Sequence, residues 1–226
     1  MEYISQTEEN YLKAIFKISE AQEGTVSTNA ISRQIDISAA SVTDMLKRLA
    51  KKNLIHYKKH KGVTLSAEGD RIAKHLIRKH RLWEVFLLEK LDFAWDEVHA
   101  MAEQLEHIQA PELVERLDKF LGHPKFDPHG DPIPDAEGNF AERQQRLLCE
   151  MKTSECGVVV GVNEHSPEFL QYLDRMELVL GTAITIMEIF SYDESIKVRV
   201  NSDNEILLSK KVSQNLFVSL SQPSAM

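Results

Sequence analysis

Two apolar stripes of helical period, separated by a turn of a few residues and followed at once by a hairpin pattern, constrain this chain more than anything else in it. They are preceded by an amphipathic helix marked by Tyr11, Leu12, Ile15 and Phe16. Ser5 with Glu8 three residues on fits a capping box at its start, and Gly24 ends it. A second helix beginning near Ser27 or Thr28 carries Ala30, Ile31 and Ile35. After Asp36-Ile37, Ser38 can cap a third helix with Val42, Met45, Leu46 and Leu49 inward. Leu54-Ile55, a turn at Lys59-His60-Lys61-Gly62 and Val63-Thr64-Leu65 then read as a small hairpin. That order predicts a winged helix-turn-helix.

Charge supports this reading. From Ser27 to Thr64 eight Lys/Arg stand against Asp36 and Asp44, a net +6, in a 226-residue chain whose formal charge is −8. An acidic protein with one basic block predicts a polyanion partner for that block, double-stranded DNA. Ser38, Ala40, Ser41, Thr43 and Asp44 lie early in the third helix, where small residues allow close approach to a major groove. Ser41 and Thr43 can reach bases or phosphates. Asp44 opposes the phosphates unless it accepts from a cytosine amino group. Lys47, Arg48 and Lys51, with Arg33 before them and Lys58, Lys59 and Lys61 in the hairpin, suit phosphate contacts.

Downstream, Ser66 can cap a long helix to about Leu91, with Leu76, Ile77, Trp83, Leu87, Leu88 and Leu91 in its stripe. Further helices are expected from about Asp96 to Ile108 and, with a stripe of Leu113, Val114, Leu117, Phe120 and Leu121, after Pro111. Pro124, Pro128, Pro132 and Pro134, with Gly122, Gly130 and Gly138, mark a loop. Val158–Val162, Ala183–Phe190, Ile196–Val200 and Glu205–Leu208 read as strands, interrupted by a helix with Ser166 as cap and Pro167 at its first position. Four or five short strands in about 75 residues suggest a small barrel. No run of 18 apolar residues occurs, so no membrane span is expected. The segment from Met1 to Ser5 lacks a secretory pattern, and Cys149 and Cys156 are too far apart for a CxxC motif. A cytoplasmic chain with reduced thiols follows as the simplest expectation.

The chemistry concentrates on two consecutive helices. His80 and Glu84 lie one turn apart within the apolar stripe of the long helix, where a carboxylate needs a partner. His99, Glu103, Glu106 and His107 fall, at 100° per residue, within about a 100° arc of the next helix. An isolated His/Glu pair at this spacing is ordinarily a surface pair. Three imidazoles and three carboxylates together point instead to a metal site or carboxylate cluster. An N/O donor set without thiolate favours Mn²⁺, Fe²⁺ or Zn²⁺.

At this point the sequence resembles the metal-dependent repressors of the diphtheria-toxin-repressor and manganese-transport-regulator family, over nearly its whole length. The likeness rests on Thr7-Glu8-Glu9-Asn10-Tyr11-Leu12, Ser41-Val42-Thr43, Gly62-Val63-Thr64-Leu65-Ser66-Ala67-Glu68-Gly69, Arg78-Lys79-His80-Arg81-Leu82, Val98-His99, Glu106-His107 and Gly130-Asp131-Pro132-Ile133-Pro134. It implies a mainly α protein with a small β domain: a winged helix-turn-helix over residues 1–66, a helical metal-binding and dimerisation domain over 67–142, and an SH3-like barrel over 147–226. It also implies two metal positions. One would use His80, Glu84 and His99, with acceptors from the SH3-like domain expected at His165 and Glu168. Asp127-Pro128-His129-Gly130 resembles a motif that supplies further ligands in some members through a Cys and the His; here Asp127 replaces the Cys. The other position would use Glu103, Glu106, His107 and Asn10. Iron-type members carry softer Met and Cys at the Asn10 and Glu103 positions, so Glu103 points to manganese. Lys13 falls where some manganese members place another carboxylate.

The function this predicts is a homodimeric repressor, not an enzyme, that binds a palindromic operator of metal-uptake genes with one or two Mn²⁺ per subunit as corepressor and no small-molecule substrate. Without metal, Glu84, Glu103 and Glu106 are expected to repel one another and loosen the first helix. An Fe²⁺-dependent repressor of the same family is one alternative; a metal-independent winged-helix regulator is another. A di-metal carboxylate enzyme would need two Glu-x-x-His motifs; Glu103-Gln104-Leu105-Glu106-His107 supplies Glu-x-x-x-His, and no second motif appears.

Overall fold

The computed structural model describes residues 4–21, 24–58, 61–201 and 204–220. The chain divides into two compact units. The first comprises residues 1–80, 103–111 and 134–139; the second comprises 81–102, 112–133 and 140–226. No helix among the described residues is long and apolar enough to cross a membrane.

The first unit begins with α1 (Gln6–Ala21), followed by α2 (Thr28–Gln34) and α3 (Ala39–Lys51). In this unit the expected serine caps form. The Ser5 backbone N–H donates to Glu8 Oε2 at 2.9 Å, and the Ser5 and Glu8 groups complete a capping box. Ser27 Oγ accepts from Ala30 N, and Ser38 Oγ from Ser41 N. The tight turn between α2 and α3 is made by Asp36 in the left-handed region, φ 50°. Val42, Leu46 and Leu49 are fully buried, as are Leu12 and Ile15 of α1 and Ile31 of α2. At about 2 kcal/mol for each large apolar side chain, that burial and not helix propensity holds these short helices.

The wing is the antiparallel hairpin β1 (Ile55–Lys58) and β2 (Gly62–Leu65), extended by a bridge between Val26 and Val63. Lys59 and His60 lie outside the described residues. Ser66 then caps α4 (Ala67–Leu91), which contributes its residues up to His80 to the first unit and the rest to the second. Gly69 in its first turn is required sterically: a Cβ there would lie 2.0 Å from the Leu54 carbonyl oxygen.

The next helix, α5 (Val98–Leu105), is shorter than the expected Asp96–Ile108. Ile108 N–H donates to the Leu105 carbonyl, a tightened i→i−3 closure, so Glu106 and His107 project from the turn beyond the helix rather than from its face. Pro111 opens α6 (Pro111–Phe120).

The second unit ends in a six-stranded antiparallel SH3-like sheet: β3 (Arg146–Leu147), β4 (Cys156–Val162), β5 (Ala183–Ile189), β6 (Ile196–Val200), β7 (Asn204–Leu208) and β8 (Leu216–Leu220), in spatial order β3-β8-β4-β5-β6-β7. α7 (Pro167–Arg175) and the single turn α8 (Lys210–Ser213) accompany it. Leu170, Leu173, Val198, Leu216 and Val218 are at zero exposure in one core with Trp95, Ile184 and Ile186. The Ser166 side chain does not cap α7 as expected; its hydroxyl donates to Glu164 Oε1 instead.

Candidate functional site

On α3 the outward residues Ser38, Ala40, Ser41, Asp44, Lys47, Arg48 and Lys51 are exposed, as are Arg33, Lys58 and Lys61. Thr43 is half-buried, and its hydroxyl donates to the Ala39 carbonyl at 2.9 Å. Two of the cations are partly engaged within the chain. Lys47 pairs with Asp44 at 2.9 Å, and Arg48 stands 4.0 Å from Glu8. Asp44 therefore offsets charge on its own helix.

The first unit gathers a donor cluster around Glu106, which has no exposed surface. His80 Nδ1 donates to Glu106 Oε2 at 2.6 Å. Glu103 reaches the same place from α5, with Oε1 3.8 Å from His80 Nδ1. His107 Nδ1 donates to Glu9 Oε2 at 2.7 Å, so a neutral ring keeps its lone pair on Nε2, 3.6 Å from Glu106 Oε1. Asn10 Oδ1 is buried with no hydrogen-bond partner among the described residues. An orphaned buried acceptor is costly, and a bound cation would satisfy it. Burial lowers the pKa of the nearby Lys79 ammonium, opposed by Glu9 and Glu106.

One expectation is corrected here. Glu103 and Glu106 do not face each other as bare repelling charges. Lys13 Nζ of α1 donates to Glu103 Oε1 at 2.6 Å and to Glu106 Oε1 and Oε2 at 2.9 and 2.6 Å. Lys13 thus ties the helix that carries Asn10 to Glu103 and Glu106. Sequence reasoning noticed Lys13 only as a departure from a pattern, and it missed Glu9, whose role is to orient His107.

The second unit gathers a different set. Glu84, Asp127 and His129 are all buried, and each offers one ligand atom within 4.8 Å of the others. His99 Nδ1 donates to Glu84 Oε1 at 3.1 Å. His129 Nε2 donates to the Trp95 carbonyl at 2.8 Å, so its Nδ1 faces Glu84, 3.8 Å away. The Asp127 side chain organises its own loop: Oδ1 accepts from the backbone N–H groups of His129 and Asp131. Arg81 Nε lies 3.5 Å from Asp127 Oδ2 and pairs with Asp131 at 3.1 Å. Gly130, at φ 88°, lets this turn lie against the sheet, because a Cβ there would meet the Val160 carbonyl oxygen at 2.1 Å.

Electrostatically this second set is short of positive charge. Burial, with Glu84 and Asp131 beside it, pushes the Asp127 carboxyl up to about 8 despite Arg81. Burial lowers the His129 pKa, but Glu84 and Asp127 outweigh it and the imidazole rises to about 9. Crowded buried carboxylates with an imidazole beside them fit a divalent cation, which would take the place of the proton that Glu84 and Asp127 hold on His129. His165 stacks on His129 with ring centroids 4.7 Å apart, while its Nε2 donates to the Val162 carbonyl. Glu168 is exposed on the first turn of α7 and is not among the residues gathered at Glu84.

A winged helix-turn-helix followed by helices that collect buried imidazoles and carboxylates defines the class of metal-dependent transcriptional repressors. The chain matches the iron dependent repressor N-terminal DNA binding domain over residues 3–63, the iron dependent repressor metal binding and dimerisation domain over 66–135, and the FeoA domain over 146–220. It is similar to a solved manganese-dependent transcriptional repressor in complex with manganese, with 32% identity, 94% of this chain and 99% of that one covered, and a TM-score of 0.84. It is also similar to ScaR with bound Zn²⁺, at 30% identity, 96% and 99% coverage and a TM-score of 0.74. The iron-dependent repressor IdeR of Mycobacterium tuberculosis is 33% identical over 135 residues, which span 59% of this chain and 58% of that protein. The chain belongs to the diphtheria-toxin-repressor and manganese-transport-regulator family.

Proposed function

We propose that this chain is a cytoplasmic, homodimeric, Mn²⁺-dependent repressor of metal-uptake genes. The observation that carries the reading is the buried Glu84–Asp127–His129 set, a site crowded with negative charge on a chain whose N-terminal helices present a basic recognition surface. Glu84, Asp127 and His129, with His99 adjoining, would hold one divalent ion. Glu103, Glu106, His107 and Asn10, with His80 bonded to Glu106, would hold another. Carboxylate, amide and imidazole donors without thiolate suit Mn²⁺ better than a soft ion. At Glu84 and Asp127 a bound ion would supply the positive charge that offsets the crowding of buried carboxylates. The chain's own residues do the rest: Glu9 and the Trp95 carbonyl fix which imidazole nitrogen faces each site, and the unpartnered Asn10 oxygen offers α1 to the donor set.

On DNA, Ala40, Ser41 and Thr43 would meet base edges, and Lys47, Arg48, Lys51, Lys58 and Lys61 the phosphates. A two-fold operator requires two recognition helices about 34 Å apart, hence a dimer. Leu91, Leu113 and Phe120 leave exposed apolar surface in the second unit that suits such contact. Operator binding and metal binding then reinforce one another by linkage.

Counting bound Mn²⁺ by electron paramagnetic resonance tests the site. Glu84→Gln keeps the side-chain volume and removes the charge. It is expected to lose one bound ion per chain; an unchanged ion count would refute the assignment.

A further inference from the structure

We propose that Lys13 is a built-in competitor for the metal at Glu103 and Glu106: its ammonium fills that position in the metal-free chain, and an entering ion must expel it. The inference rests on reading these carboxylates as a metal position.

The geometry makes the two cations mutually exclusive. Lys13 is buried, and its Nζ engages three carboxylate oxygens at 2.6 to 2.9 Å. A divalent ion needs the same oxygens, at about 2.0 to 2.6 Å. Charge points the same way. Glu9, Glu103 and Glu106 carry three negative charges, and Lys13 and Lys79 carry two positive ones. With the imidazoles neutral, exchanging Lys13 for a divalent ion leaves these groups balanced, whereas adding the ion to them leaves an excess positive charge in a buried place. Asn10, three residues before Lys13 on the same side of α1, has the acceptor left without a donor. That oxygen finds a partner when the ion enters, and Lys13 loses its own.

Two consequences follow. α1 is tied to Glu103 and Glu106 before any metal arrives, so the metal-free chain is already ordered there. The free-metal concentration needed to fill this position is also raised, because the ion pays for removing Lys13. Substituting the lysine therefore tunes the sensor's threshold without touching a ligand.

The test is Mn²⁺ binding by the full chain, followed by electron paramagnetic resonance. Lys13→Met, of similar length and without charge, is expected to tighten one class of site by about tenfold or more. Its metal-free form should melt lower than wild type and gain more from Mn²⁺. Lys13→Arg keeps the cation and should bind no tighter than wild type. Lys13→Gln serves as the second neutral variant if the Met substitution does not fold. In a Glu103→Gln background the gain from Lys13→Met should vanish. Equal affinity in wild type and both neutral variants would overturn the proposal, as would a gain that persists without Glu103. Failure of every variant, wild type included, to bind Mn²⁺ would overturn the metal reading itself and the proposal with it.

Discussion

Glu103→Ala is expected to abolish metal stimulation of DNA binding while the chain stays folded. Two observations separate the effects. Glu103 is more than a third exposed, at 37% of its side chain, so its contribution to stability through Lys13 is screened and amounts to no more than about 1 kcal/mol. Lys13 also keeps both oxygens of Glu106 after the substitution, so no buried charge is left alone. The metal position, by contrast, loses one of its two carboxylates, and its affinity should fall more than tenfold. Far-ultraviolet circular dichroism and melting would report the fold, and fluorescence anisotropy on promoter DNA the stimulation. Wild-type stimulation in the variant would remove Glu103, Glu106 and His107 as the regulatory position.

The second large effect belongs to the recognition surface. Replacing Lys47, Arg48 and Lys51 together with Ala should weaken DNA binding by about a hundredfold at moderate salt. It should also flatten the slope of log K against log salt by about 2, with sequence preference unchanged. Each lost phosphate contact is worth about 0.9 in slope, but Lys47 is already paired with Asp44 and Arg48 faces Glu8, so the full value for three contacts is not expected. An unaltered slope would show that α3 does not lie along the phosphates.

Local chemistry made much of this legible in the sequence. The Ser5, Ser27, Ser38 and Ser66 caps and the turn at Asp36 are each decided within a few residues, and each forms as read; of the apolar stripes, Leu12, Ile31, Leu46 and Leu76 are buried, whereas Leu91, Leu113 and Phe120 stand exposed. What was not legible depends on distant partners. Glu106 and His107 read as helical by periodicity, but the chain leaves the helix at Leu105 through a tightened turn. The strand Leu216–Leu220 has ordinary alternation and is secured by pairing with β3 and β4, far back in the sequence. At the candidate site, residue types and spacing pick out imidazoles and carboxylates that the fold gathers. They could not show that Lys13 reaches carboxylates some 90 residues away, or that Glu9 and the Trp95 carbonyl decide which ring nitrogen of His107 and His129 is presented.

Divalent metal is expected to govern DNA affinity. Chelator-stripped protein should be titrated at fixed salt onto its own promoter DNA, with anisotropy read as Mn²⁺, anaerobic Fe²⁺ or Zn²⁺ is added separately. A tenfold or greater gain with micromolar Mn²⁺, and a smaller one with the other two ions, is the predicted result. Tight binding that no metal changes would contradict it, leaving a winged-helix protein whose imidazoles and carboxylates serve only its packing.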